Sequence, residues 1–194
     1  MEHTMSPMSR SLWVSLLSAA FFAVFLWIDD SAVRAEGAGL VGCQVLDNGS
    51  RAAASFRVLR DGAQISAGTC GKDLEVPEGA YELVVVLDGV LGESEQRVLV
   101  TARAGAAEHP TVRFETGELL IEVTREGRRS TALVQLSAGG RKLAQLSAGV
   151  ATRLAVGTYS LEVESRGEKR QLAAVTIVRG ERRVLGVEFG APPK

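Results

Sequence analysis

Two cysteines, two histidines and a set of arginines at turns are the side chains from which this sequence would have to build chemistry. Histidine is the usual acid–base group near neutral pH and the commonest metal ligand. His3 lies in the N-terminal segment and His109 in a loop, so a processed chain would keep one. A histidine-based hydrolytic triad or a multi-histidine metal site is excluded by that inventory. No G-x-S-x-G, P-loop or Rossmann glycine fingerprint occurs. The acidic residues are scattered singly, and Asp47-Asn48-Gly49 reads as a hairpin turn rather than a calcium loop. The expectation is a non-enzyme with no catalytic residue, cofactor or metal.

The elements that position these residues come in duplicate. Sliding the sequence over itself by 78 residues aligns Gly39 with Gly117, Val45 with Val123, Gly49 with Gly127 and Ala54 with Ala132. The same offset aligns Gly79 with Gly157, Tyr81 with Tyr159, Leu83 with Leu161, Val85 with Val163 and Gly89 with Gly167. Beyond Gly89 the offset falls to 75, pairing Gln96 with Gln171, Val100 with Val175 and Phe114 with Phe189; the first copy therefore holds three extra residues near Gly92. Each copy reads as seven short strands. Leu119, Ile121 and Val123 alternate with polar neighbours, as do Tyr159, Leu161 and Val163, the period of a half-buried strand. Asn48-Gly49, Asp61-Gly62, Asp88-Gly89 and Gly139-Gly140 are among the turn signals, one about every ten residues. The fold class expected is all-β, two tandem seven-stranded antiparallel Ig-like or prealbumin-like sandwiches. The first spans residues 36–116 and the second 117–190, with a disordered tail at 191–194. Only Glu115 to Gly117 separate them, so the joint cannot be a free tether.

Residues 1–35 read as an export signal. A polar start with Arg10 precedes an uncharged stretch from Ser11 to Ile28, and Val33-Arg34-Ala35 follows as the cleavage site. An uncleaved anchor is the alternative, because 18 apolar residues lie at the lower edge of what spans a bilayer. Leu40-Val41-Gly42-Cys43 also matches a lipoprotein box, which would place a lipidated Cys43 at the membrane. The placement expected is periplasmic or secreted.

Superposing the copies interprets the cysteines. Cys43 stands where the second copy has Ile121, and Cys70 where it has Ala148. A pair confined to one copy of an exported chain is most simply a disulfide.

Charge is divided between the copies. Residues 36–116 hold 12 acidic and 7 basic side chains, a net of −5, whereas residues 117–194 hold 8 and 13, a net of +5. The cations gather at turns: Arg125, Arg128 and Arg129; Arg166, Lys169 and Arg170; Arg179, Arg182 and Arg183. Solvated turns that keep edge strands apart are one reading. The other is a basic surface for an acidic partner, either a polyanionic envelope surface or the acidic repeat of another copy; Arg125, Arg128, Arg129, Arg182 and Arg183 are its expected core. No aromatic residues interleave with them, which argues against nucleic acid.

Val76-Pro77-Glu78-Gly79-Ala80-Tyr81-Glu82-Leu83-Val84-Val85 resembles the Pro-x-Gly-x-Tyr run of the PEGA and carboxypeptidase-regulatory-like, or transthyretin-like, sandwich modules. Leu154 to Val163 repeat it without the proline. The resemblance implies a non-catalytic extracytoplasmic module used for binding or as a spacer. The function expected is therefore protein–protein contact with an envelope partner. A carbohydrate- or surface-binding module is the rival, weakened because Trp13 and Trp27 both lie in the signal. A secreted inhibitor is a third reading, for which the insertion near Gly92 is too short to supply a protruding loop.

Overall fold

The computed structural model describes residues 37–190. The expected signal over residues 1–35 and the tail at 191–194 lie outside the described residues.

The first repeat runs through β1 (Ala38–Val41), β2 (Gln44–Asp47), β3 (Ser50–Arg51), β4 (Ala54–Arg60), β5 (Ala63–Thr69), β6 (Leu74–Pro77), β7 (Gly79–Leu87), β8 (Glu95–Ala102), β9 (Ala107–Glu108) and β10 (Thr111–Phe114). β1 and β2 are halves of one strand interrupted at Gly42-Cys43. β9 and β10 are halves of another, interrupted at His109-Pro110, where proline cannot donate to a ladder. Counted so, seven principal strands remain beside the two-residue β3. The second repeat runs through β11 (Thr116–Arg125), β12 (Arg128–Arg129), β13 (Leu133–Ala138), β14 (Arg141–Ser147), β15 (Thr152–Ala155), β16 (Gly157–Ser165), β17 (Glu168–Ile177) and β18 (Arg182–Phe189).

In each repeat a four-stranded antiparallel sheet, β5-β4-β7-β8 or β14-β13-β16-β17, is accompanied by a second layer: the pair of three-stranded sheets β6-β1-β9 and β10-β2-β3 in the first repeat, and β12, β11, β15 and β18 in the second. This second layer contains a pairing that alternation alone does not reveal, because the last strand runs parallel to the first. β10 lies along β2, and β18 along β11 over eight residue pairs. Inward side chains explain the sequence pattern. Tyr81, Leu83, Val85 and Leu87 are buried along β7, and Tyr159, Leu161, Val163 and Ser165 along β16. Val84 is buried as well, so β7 is the more enclosed of the two, as its more continuous apolar run implies.

Two identities across the repeats have steric causes. A Cβ on Gly117 would stand 2.5 Å from the Val178 carbonyl oxygen, and one on Gly39 would stand 2.7 Å from the Arg103 backbone. In both repeats the turn before the last strand crosses so close over the first strand that only glycine fits. The tyrosines each open a strand and donate back to the carbonyl four residues earlier: Tyr81 to Pro77 and Tyr159 to Ala155, both at 2.8 Å. Burial, together with the nearby Glu93 carboxylate, pushes the Tyr159 hydroxyl pKa up.

Cys43 and Cys70 form the expected disulfide, with Cα atoms 4.7 Å apart. Cys43 is buried within the first core. This overturns lipidation at Cys43. A bonded, enclosed sulfur carries no acyl chain, and a chain starting at Cys43 would lack β1, which pairs with both β6 and β9.

The buried side chains fall into two clusters, one per repeat, with an exchange at the joint. Ala155 of the second repeat belongs to the first core, and Leu91 of the first repeat packs against the second. Only Glu115 separates β10 from β11. The residues inserted near Gly92 form a clasp: the Leu91 N–H donates to the Arg153 carbonyl at 3.1 Å, and the Ala155 N–H to the Leu91 carbonyl at 2.9 Å. Leu91 thus adds one residue of strand to the free edge of β15. Polar contacts complete the joint. The Thr116 hydroxyl donates to Asp47 Oδ2 at 2.6 Å, the Asn48 amide donates to the Thr116 carbonyl at 2.9 Å, and Arg153 pairs with the Asp47 carboxylate.

That pair is asymmetric. The Asp47 side chain is 9% exposed and its Oδ1 has no hydrogen-bond partner, whereas Arg153 is 37% exposed. Removing the arginine strands a buried charge; removing the aspartate releases a cation to water. Arg153→Ala is expected to cost about 2–3 kcal/mol after allowance for screening, and Asp47→Ala about 1 kcal/mol less. Urea titrations of the two variants check the order, and equal losses would contradict it.

Candidate functional site: the basic tip of the second repeat

Arg125 ends β11, and what it touches defines the far end of the second repeat. Its side chain is 11% exposed, although arginine is rarely so enclosed without partners. Nη1 donates to the Gly190 carbonyl at 3.1 Å, and Nη2 to the Ser165 carbonyl at 3.2 Å and to Glu168 Oε2 at 3.1 Å. Its guanidinium stands 5.4 Å from the centre of the buried Phe189 ring, and Arg170 stands at the same distance. One largely enclosed cation thereby draws together the β11–β12 turn, the β16–β17 turn and the end of β18.

On this frame the two turns carry exposed cations. Arg128, Arg129, Arg166, Lys169 and Arg170 are all exposed. Arg129 is 3.8 Å from Glu122 with its side chain almost wholly in water. Lys169 bonds Glu162 at 2.8 Å and lies 3.5 Å from Glu164; the bond to Glu162 holds the ammonium pKa above its usual value and lowers that of the Glu162 carboxyl. Arg128 and Arg166 make no ion pair among the described residues. Glu126 and Gly127 at one turn and Arg166 and Gly167 at the other have positive φ, so each turn is tight and holds its arginines close to the frame.

The five arginines singled out from sequence do not form one cluster. Arg125, Arg128 and Arg129 are at this tip. Arg182 and Arg183 pair across from Glu118 and Leu119, seven residues back along β11, about 23 Å away at ~3.3 Å per strand residue. There Arg182 donates to Glu118 at 2.6 Å and Arg179 to Glu115 at 3.2 Å, beside the joint. The residues that belong with Arg125 are instead Arg166, Lys169 and Arg170. The signal for this grouping is the repeat itself, which brings the turn after the first strand beside the turn after the fifth.

His109, the other candidate for chemistry, bonds Asp73 Oδ1 at 2.6 Å on the surface. Among the described residues no three His, Cys, Asp or Glu side chains gather as a metal site would require, and no helix is long and apolar enough to cross a membrane.

No family model matches the chain, and no curated protein matches it in sequence. Solved structures do resemble it. The TIE protein of Bacillus anthracis is 13% identical with a TM-score of 0.39, covering 80% of this chain, which spans about a third (34%) of that protein. The minor pilin of Streptococcus agalactiae is 12% identical with a TM-score of 0.34, over 81% of this chain and 97% of the pilin. A variant of the shaft pilin SpaA from Lactobacillus rhamnosus GG is 7% identical with a TM-score of 0.38, over 81% and 99%.

Proposed function

We propose that this chain is a non-catalytic extracytoplasmic module that binds an anionic protein surface through the tip of its second repeat. The observation that carries the reading is internal to the chain. The tip of the first repeat, with Asp47, Asn48 and Leu91, is docked on protein, while among the described residues nothing covers the equivalent tip of the second, which is lined with exposed cations. The Cys43–Cys70 disulfide supports placement outside the cytoplasm, where such bonds persist. The Gly-x-Tyr run supports kinship with PEGA-like binding and spacer modules.

The test is retention on immobilised polyglutamate at low salt. Wild type is expected to be retained and to elute between about 0.1 and 0.5 M salt, since surface attraction fades as the Debye length shortens. R128E/R129E/R166E is expected to flow through with an unchanged unfolding midpoint. Equal retention of that variant would overturn the reading.

A further inference from the structure

The joint between the repeats has a counterpart at the two outer ends of the described residues, with its charges exchanged. Inside the chain, Asp47 on the tip of the first repeat meets Arg153 on the base of the second. The repeat offset of 78 places Arg125 where the first tip has Asp47 and Glu75 where the second base has Arg153. Nearby positions add to it, one by exchanging charge and two by gaining it. Asp88 of the first tip becomes Arg166, Ser50 becomes Arg128, and Val156 of the second base becomes Glu78.

The base of the first repeat is well defined. The Glu78 N–H donates to the Gly37 carbonyl at 3.1 Å, the Gly105 N–H to the Ala38 carbonyl at 3.2 Å, and the Ala104 N–H to Glu78 Oε1 at 2.6 Å. Asp61, Glu75 and Glu78 are exposed there. The cations at that end are Arg60, which lies 5.8 Å from the centre of the Tyr81 ring, and Arg103.

We infer that the basic tip of the second repeat docks on the acidic base of the first repeat of another copy, so that chains associate head to tail; this rests on the reading that the tip binds an anionic protein surface. The charge pattern permits one match per tip. The first tip is repelled by its own repeat's base, Asp47 against Glu75, and the second by its own, Arg125 and Arg166 against Arg153. Only the alternate pairings attract: one is made within the chain, and the other is available only between chains. The contact is heterologous, so it propagates rather than closing on itself as a two-fold dimer does.

The contact between chains lacks the clasp that fixes the internal joint. The second tip is three residues shorter at the position of Leu91, and Pro77 stands where Ala155 donates its N–H. Association between copies is therefore electrostatic, reversible and salt-sensitive, while the internal joint is permanent.

Sedimentation velocity of the exported chain tests this. At about 20 mM salt the weight-average size is expected to rise with concentration, and at about 500 mM the chain is expected to be monomeric, as screening over a few ångströms requires. R128E/R129E/R166E and E75R/E78R should each be monomeric at low salt. The chain carrying both reversals should associate again, because its acidic tip faces a basic base, and this rescue separates complementarity from loss of fold. A wild type that stays monomeric at low salt, or association that survives either single-end reversal, overturns the inference. If that monomer is still retained on polyglutamate through Arg128, Arg129 and Arg166, the proposed function stands and only the second copy falls as partner.

Discussion

Replacing Cys43 and Cys70 together by alanine is expected to lower the stability of the first repeat by about 3–4 kcal/mol in the chain-entropy account of cross-links. The bridge closes a separation of 27 residues, from the break in the first strand to the end of β5, and so ties the two sheets together. The second repeat supplies the control, since it holds Ile121 and Ala148 at these positions without a bridge. Ile121 is buried, so C43I/C70A imports a packing solution this fold already uses. That variant should recover part of the loss, about 1–2 kcal/mol, through the added apolar burial. Two-stage urea unfolding, followed with and without reductant, checks both numbers. Reduction should move the first repeat's transition and leave the second's in place. A single transition that shifts as a whole would mean that the Leu91 clasp couples the repeats too tightly for them to unfold apart.

The pairing of these cysteines was legible because the repeat gave each an internal reference. Positions that are Ile and Ala in one copy and Cys in the other are inward positions, and their meeting follows from the fold. The same comparison made the strands and turn glycines readable, since Gly39 and Gly117, or Tyr81 and Tyr159, are tied to contacts both copies make. The joint was not legible for the converse reason. The Leu91 clasp has no counterpart in the second copy, and a three-residue insertion carries no periodicity from which to infer a strand pairing. Parallel pairing of first and last strands was hidden too, because alternation reports which face is buried and says nothing of the neighbour's direction. The arginines fell between these cases. Their turns are visible in the sequence, but which turns share an end depends on topology, and Arg182 lies some seven strand positions from Arg125.

Phe189→Ala is expected to be the costliest single substitution at the tip, about 3–5 kcal/mol, because it empties a fully buried aromatic site at the end of β18. Phe189→Leu separates the ring's two roles. It keeps most of the buried volume and removes the π face that Arg125 and Arg170 approach from 5.4 Å, so its loss should be near 1–2 kcal/mol, a repacking term plus two weak cation–π contacts. The effect on the surface is expected to outlast the small effect on stability. Arg125 Nε is already buried without a partner, so the guanidinium is held by three bonds and the ring beneath it. Without the ring, Arg125 turns toward water and the two turns it gathers lose their common anchor. Amide exchange at residues 126–129 and 166–169 should then rise in F189L while the β13–β16 core stays protected, and retention on polyglutamate should fall severalfold although every exposed arginine is still present. Unchanged exchange at those turns would mean that the tip is held by its hairpins alone. Arg125 would then be a packing residue of the fold, with no part in arranging the charges that Arg128, Arg129 and Arg166 present.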